Sequence, residues 1–261
     1  MRASKNSAVL VFVTGASSGI GEALARHYAS PDSVIGLAAR RQDLLEKLAQ
    51  RLPGRTALYS LDVTDSEALE RAAADFVARF GPPDIVIANA GISIGTDGAD
   101  ISDLPKLRRV LDINVTGMAA SLSAFAPAMK DARRGTLVGI SSVAGFRGLP
   151  GSGAYSASKA AATAWLESLR VELIGSGVSV VTICPGFIDT PMTRVNRYRM
   201  PFLLSADEAA RRFARAIAAR RRLAVIPWQM ALIGSVLRAL PAWAYDKLLS
   251  RAPRKPRNLP L

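Results

Sequence analysis

Ala8-Val9-Leu10-Val11-Phe12-Val13-Thr14-Gly15-Ala16-Ser17-Ser18-Gly19-Ile20-Gly21 is the stretch on which the fold turns. Its first six residues form an unbroken apolar run of strand length, and the residues after Gly21 have helical spacing. Between them lie three glycines. Glycine lets a backbone turn sharply and approach a ligand closely, because no Cβ stands in the way. The helix that follows offers free N–H groups and the positive end of its dipole. Strand, glycine turn and helix in this order suit a pyrophosphate. The loop is therefore read as a dinucleotide-binding turn in which Gly15, Ser17, Ser18, Gly19, Ile20 and Gly21 meet the phosphates. A purely structural tight turn is the alternative, and the placement within a strand–turn–helix unit favours the cofactor.

Outward from this loop, apolar runs of strand length alternate with amphipathic stretches of helix length. Strands are expected at Val34–Ala39, Ala57–Leu61, Asp84–Ala88, Leu137–Ile140 and Ser179–Cys184, and helices at Leu44–Leu52, about 105–131 and about 155–174. Thr64-Asp65-Ser66-Glu67 reads as a capping box with Thr64 as N-cap, opening a helix that ends near Gly81. Such alternation means βαβ units, a parallel sheet and helices on both faces. The continuous apolar strands agree, since parallel strands are buried on both sides. The expectation is one α/β domain over residues 1–261, a doubly wound parallel sheet.

The end of the second strand bears on cofactor choice. A carboxylate there would bind the ribose 2′-hydroxyl of NAD, whereas arginine suits the 2′-phosphate of NADP. The sequence is Ala38-Ala39-Arg40-Arg41, with no carboxylate at the strand end and two cations after it. The expected cofactor is NADP(H) in preference to NAD(H), its phosphate paired by Arg40 with Arg41 or Ser17. Both arginines as solvated helix-start residues is the alternative.

From about residue 8 to 192 the chain resembles the short-chain dehydrogenase/reductase family, through several motifs in one order. They are the T-G-x-x-x-G-x-G loop from Thr14 to Gly21, Asp62-Val63, Asn89-Ala90-Gly91, Asn114, Ser142 in I-S-S-x-x-G, Tyr155 with Lys159 in Y-x-x-x-K, and Pro185-Gly186 with Ile188 and Thr190. Ala88 departs from the pattern, since an asparagine is more usual there. The resemblance implies a Rossmann-type sheet and hydride transfer between a nicotinamide cofactor and a carbonyl or alcohol. It implies that Asp62-Val63 contact the adenine and that Asn89-Ala90-Gly91 lie along the cofactor. Pro185, Gly186, Ile188 and Thr190 would hold the nicotinamide carboxamide. Lys159 would bind the nicotinamide ribose, and Asn114 would hold a water completing a proton relay. It also implies a homodimer or homotetramer, built on the helices near 105–131 and 155–174.

The chemistry can be reasoned from the residues as well. Tyr155 and Lys159 are four apart and share one helix face. A tyrosine pKa of about 10 is too high for efficient proton exchange near neutrality. A neighbouring lysine cation favours the phenolate and is expected to lower it. Tyr155 would then protonate the developing alkoxide, and Ser142 would hydrogen-bond the substrate oxygen. The competing reading is a non-catalytic NADP(H)-binding sensor or scaffold on the same fold. The set Asn114, Ser142, Tyr155 and Lys159 argues against it, since a sensor needs no proton relay.

Bulk properties set the remaining bounds. The one cysteine, Cys184, cannot form an internal disulfide and reads as a core residue. The one histidine, His27, has no carboxylate or cysteine cluster beside it, and no metal site is expected. Arg2 and Lys5 before Ala8–Val13 mimic a secretory leader, but that apolar run is too short. The net charge of +13 is unevenly placed: residues 191–261 hold 15 Lys+Arg against 3 Asp+Glu. Residues 191–249 are expected to form a substrate lid and an apolar and basic extension, and 250–261 a loosely ordered basic tail rich in proline. Met192, Met200, Phe202 and Leu203 in the lid suggest a non-polar substrate. Leu223–Leu237 is uncharged but shorter than a membrane span and broken by Pro227. It suits a pocket wall, a subunit interface or peripheral contact with anionic lipid, to which Arg251, Arg254, Lys255 and Arg257 would add charge. Nucleic acid is not expected, for want of a recognised module. The expected location is the cytoplasm, with peripheral attachment to the inner face of a membrane as a further option.

Overall fold

The computed structural model describes residues 9–196 and 198–257. Ala8 of the expected first strand, Arg2, Lys5, Arg197 and residues 258–261 of the tail lie outside them.

Seven parallel strands make one sheet in the order β3-β2-β1-β4-β5-β6-β9. They are β1 (Leu10–Thr14), β2 (Val34–Ala39), β3 (Arg55–Ser60), β4 (Ile85–Ala88), β5 (Thr136–Ile140), β6 (Ser179–Pro185) and β9 (Leu223–Ile226). Two short strands, β7 (Ile188–Asp189) and β8 (Leu204–Ser205), pair separately. The strand order reverses between β1 and β4, so the loops leaving their C-terminal ends diverge and open a crevice.

Alternation along β1 shows how the two faces fill. Val11 and Val13 pack with Leu24 of α1 (Gly19–Tyr28), Leu45 of α2 (Gln42–Ala49) and Phe213 of α9 (Ala206–Ala218). Leu10 and Phe12 point the other way. They meet Phe76 of α3 (Ser66–Phe80), Leu122 of α5 (Gly117–Ser123) and Leu166 of α7 (Gly153–Glu172). Phe12 lies at a centroid distance of 4.6 Å from Phe125 and 5.6 Å from Phe76. Both faces are thus sealed, as the continuous apolar strands require.

Several local expectations are corrected. Asp65, not Thr64, caps α3, with Oδ1 accepting from the Ala68 N–H at 2.9 Å. The Thr64 hydroxyl donates instead to Asp62 Oδ1 at 2.8 Å. The helix expected over 105–131 is broken into α4 (Leu104–Leu111), a π-helical turn (Asp112–Thr116), α5 and α6 (Ala126–Asp131). The wide turn carries Asn114 inward and buries it. Within the uncharged run, Leu223–Ile226 is the seventh strand. The run continues as α10 (Gln229–Ala239), and α11 (Ala242–Leu249) follows. No helix among the described residues is long and apolar enough to cross a membrane. Within the described part of the tail, up to Arg257, the chain is anchored: Lys255 is buried and Arg257 is paired with the body of the protein.

Candidate active site

The glycine loop leaves β1 and enters α1 with Gly15 at φ +68° and Gly19 at φ +59°, left-handed values that favour glycine. A Cβ on Gly21 would stand 2.3 Å from the Gly15 carbonyl oxygen, so the turn closes only without a side chain there. Ser18 is the N-cap residue of α1, yet its hydroxyl does not cap the helix. It accepts instead from Arg41 Nη2 at 3.3 Å, and Ser17 Oγ accepts from the same atom at 3.0 Å. The first-turn N–H groups keep their outward aim, which fits a bound phosphate.

Asn89 ties this loop to β4. Its Nδ2 donates to the carbonyls of Thr14 at 3.1 Å and Gly15 at 3.2 Å. The Thr14 hydroxyl accepts from the N–H groups of Asn89 and Ala90 at 3.2 and 3.3 Å. Thr14 is thus a buried anchor that the motif reading passed over, although it opens the quoted motif.

One cleft gathers the sequence-derived residues. It is lined by Gly15, Ser17 to Ile20, Arg40, Arg41, Asp62, Val63, Asn89 to Gly91, Ser142, Tyr155, Lys159, Pro185, Gly186, Ile188 and Thr190. Gly21 and Asn114 stand behind that lining. Two further residues contribute. Arg109 Nη2 donates to Asp62 Oδ2 at 2.9 Å, while Arg40 lies 3.8 Å from the same oxygen. Met192 reaches the cleft from α8 (Pro191–Arg194). Burial alone would raise the Asp62 carboxyl, but hydrogen bonds from Thr64 and Arg109 outweigh it and hold the group below its ordinary value. No local pattern marks Arg109, since its partner lies 47 positions away.

At the far end of the cleft stand Ser142, Tyr155 and Lys159, with Asn114 behind them. Ser142 lies two residues past the end of β5 and caps a short 3-10 turn, its Oγ accepting from the Ala144 N–H at 3.1 Å. Tyr155 and Lys159 sit on the first turns of α7. Lys159 Nζ donates to the Ile140 carbonyl at 2.8 Å and lies 5.8 Å from the centroid of the Tyr155 ring. Asn114 is held at both ends of its amide. Oδ1 accepts from the Ile92 N–H at 2.8 Å, and Nδ2 donates to the Ile92 carbonyl at 2.9 Å and to Ser158 Oγ at 3.0 Å. One lone pair of Oδ1 stays open. The space above Gly91, where a Cβ would sit, is 3.1 Å from that oxygen and 3.6 Å from Lys159 Nζ.

The electrostatics differ from the sequence expectation. Burial pushes the Tyr155 phenol above its ordinary value, and the hydrogen bond with Ser142 works the other way. Lys159 is itself brought down to about 8 by burial. A desolvated cation 5.8 Å from the ring centroid does not outweigh the loss of water around the phenol. Cys184 is buried beneath this group, and burial pushes its thiol up to about 11, as suits a core residue.

The segment after Ile188, expected to act as a lid, is partly anchored. Thr190 and Thr193 form a reciprocal capping box on α8, and Arg194 pairs with Asp189 at 2.7 Å.

A family model described as short chain dehydrogenase matches residues 9–200. An uncharacterized oxidoreductase of Myxococcus xanthus is 42% identical over 243 residues, which make up 92% of this chain and 95% of that protein. Among solved structures, a short-chain dehydrogenase from Streptomyces avermitilis superposes with a TM-score of 0.81 at 27% identity, covering 94% of this chain and 98% of that one. An alcohol dehydrogenase from the archaeon Thermococcus sibiricus, complexed with 5-hydroxy-NADP, superposes with a TM-score of 0.72 at 28% identity, covering 84% and 94%. The matched segment contains the glycine loop together with Asn114, Ser142, Tyr155 and Lys159, and the chain belongs to the short-chain dehydrogenase/reductase family, as an NAD(P)-dependent oxidoreductase acting between alcohol and carbonyl groups.

Proposed function

We propose that the protein is an NADP(H)-dependent reductase of non-polar ketones or aldehydes, with Tyr155 as general acid and the reverse oxidation at higher pH. The observation that carries this reading is the Tyr155 phenol, flanked by Ser142 and Lys159, in the same cleft as the glycine loop. The bound dinucleotide supplies the hydride.

The protein's own groups do the rest. Gly15 to Gly21 accept the pyrophosphate against the α1 N-terminus. Arg40 and Arg41 flank the place of the adenine ribose, and the absence of a carboxylate at the end of β2 favours a 2′-phosphate. Ser142 Oγ orients the substrate oxygen, and Tyr155 Oη gives it a proton. A phenol raised by burial stays protonated near neutrality, the form a reduction needs. Oxidation needs the phenolate and is favoured as pH rises. Lys159 Nζ, with Asn114 Oδ1 across the gap at Gly91, stands where a water would return the proton. Met192, Ile92 and Ile113 give the cleft apolar lining, which supports a non-polar substrate. The working form is a homodimer or homotetramer, as the family resemblance implies.

An NADPH-oxidation screen over ketones graded by size and polarity identifies the substrate class. Tyr155→Phe should keep NADPH affinity while kcat falls by about 10²–10⁴. A near wild-type kcat would take Tyr155 out of the mechanism.

A further inference from the structure

Residues 254–257 lie against two loops, one following Gly91 and the other leading into α7. Lys255 is 6% exposed, and its Nζ donates to Ser93 Oγ at 2.8 Å. The Pro256 carbonyl accepts from the Gly95 N–H at 3.1 Å. A Cβ on Gly95 would stand 2.2 Å from the Lys255 carbonyl oxygen, so only glycine admits the tail there. Arg257 Nε pairs with Asp103 Oδ2 at 2.9 Å, and its Nη2 pairs with Asp100. On the other side, Arg254 covers Gly151, whose Cβ would meet the Arg254 side chain at 2.6 Å.

Both loops lead to the chemistry. Asp103 is 3% exposed and binds Lys106 at 2.7 Å and the Asp97 N–H at 2.8 Å, as well as Arg257. Those three partners hold its carboxyl well below the ordinary range. The Thr96 N–H donates to the Gly151 carbonyl at 3.1 Å, and the Thr96 hydroxyl accepts from the Ala154 N–H at 3.3 Å. Ala154 is the residue before Tyr155. At the start of the first loop, Ile92 makes both of its backbone bonds to Asn114. Arg147 and Tyr245 brace the approach of the tail. Arg147 Nη1 donates to the carbonyls of Leu237 and Leu240 at 2.6 and 2.7 Å, and the Tyr245 hydroxyl donates to the Gly148 carbonyl.

We infer that Arg254–Arg257 form a strap that positions the reaction groups, with Lys255 and Arg257 as positioning residues acting through the two loops on Asn114 and Tyr155. The strap joins loops that are distant in sequence, and a shift in either moves a reacting group. The inference rests on the proposed carbonyl reduction for its kinetic readout. It does not depend on that reading for its structural readout.

The test compares wild-type protein with Arg257→Ala and Arg257→Lys as full chains. The readouts are kcat and KM on the carbonyl found in the screen, NADPH Kd, Tm, and amide hydrogen exchange across residues 92–103 and 149–156. For Arg257→Ala, kcat should fall about tenfold, with NADPH Kd within about twofold, because small displacements at a distance cost turnover before they cost binding. Exchange should quicken in both loops, and Arg257→Lys should recover most of the kcat. Quickened exchange confined to residues 250–261 would overturn the inference, and so would unchanged kcat or a matched loss of NADPH affinity and Tm. If the wild-type chain turned over no carbonyl, the proposed function would fall, and the exchange pattern would decide the strap alone.

Discussion

The two ends of the cleft are built by opposite means. The amino-terminal end is backbone: left-handed glycines, the open first turn of α1 and the aligned ends of β1 and β4. The surroundings of the other end are held by side chains that reach far along the chain, such as Arg147 to the Leu237 carbonyl and Lys255 to Ser93. Charge divides in the same way. Residues 1–190 carry 19 Lys+Arg against 18 Asp+Glu, and residues 191–261 carry 15 against 3. With few local carboxylates, several C-terminal cations find distant partners instead. Arg257 takes Asp100 and Asp103, and Lys255 takes the Ser93 hydroxyl. A backbone-built site announces itself in a short motif, while a side-chain-built site is written in pairs with no fixed spacing.

The largest test of this contrast is Gly21→Ala. Its Cβ would sit 2.3 Å from the Gly15 carbonyl oxygen, inside any normal contact. Overpacking of this kind costs about 1–3 kcal/mol, and because the phosphate turn must deform, NADPH should bind about 10–100-fold more weakly in titration. Unchanged affinity would move the dinucleotide away from this loop. Arg147→Ala probes the other end. It removes two charge-assisted bonds to carbonyls at the end of α10 and the stacking of the guanidinium 4.1 Å from the Tyr245 ring centroid. A loss of about 2 kcal/mol in unfolding free energy is expected, with NADPH affinity unchanged. A variant as stable as the parent would show that the C-terminal helices are not held this way.

Arg40→Asp should lower the NADP/NAD ratio of kcat/KM by about tenfold, or 1.4 kcal/mol. A constant ratio would shift the 2′-phosphate to Arg41 or abolish the preference. The smallest effect is in pH. Burial brings Lys159 and Lys255 to about 8, below the value of about 10.4 for an unfolded lysine. Between these values the unfolded chain binds more protons than the folded one, so stability rises with pH. Denaturant melts should show the rise from pH 8 to 9, and Lys255→Met should remove about 1 kcal/mol of it. The Cys184 thiol, raised to about 11, opposes the trend as the unfolded thiol ionises near its ordinary pKa of about 8.5, so the net rise is smaller than the two lysines alone would give. A Lys255→Met variant that kept the parent's slope would mean that Lys255 reaches water in solution.

Much of the site was legible in the sequence because its residues act from fixed places on regular elements. Tyr155 and Lys159 share a helix turn, Pro185 ends a strand, and Ser142 caps the short turn just after one. What was misread depended on surroundings. The downward shift expected for Tyr155 ignored how far burial would desolvate both it and its lysine. Thr64 and Asp65 are both competent caps, and the choice fell to Asp65 once Asp62 drew in the Thr64 hydroxyl. The long helix over 105–131 hid a π-helical turn, because the pull of the Ile92 backbone on Asn114 leaves no periodic trace. A tail of arginines and prolines looked unanchored, since its partners Asp100, Asp103 and Ser93 lie more than 150 positions away.

By itself, then, the sequence determined the doubly wound sheet and the glycine turn, and it singled out Asn114, Ser142, Tyr155 and Lys159, which the fold brings to one end of the cleft. Apolar period, glycine placement and helix spacing are local, and local sterics and hydrogen bonding enforce them. Only the tertiary structure decided the protonation tendency of Tyr155, the partners of Asn114 and the seating of Lys255 and Arg257. Those depend on which groups exclude water from one another, and that is settled when distant segments pack.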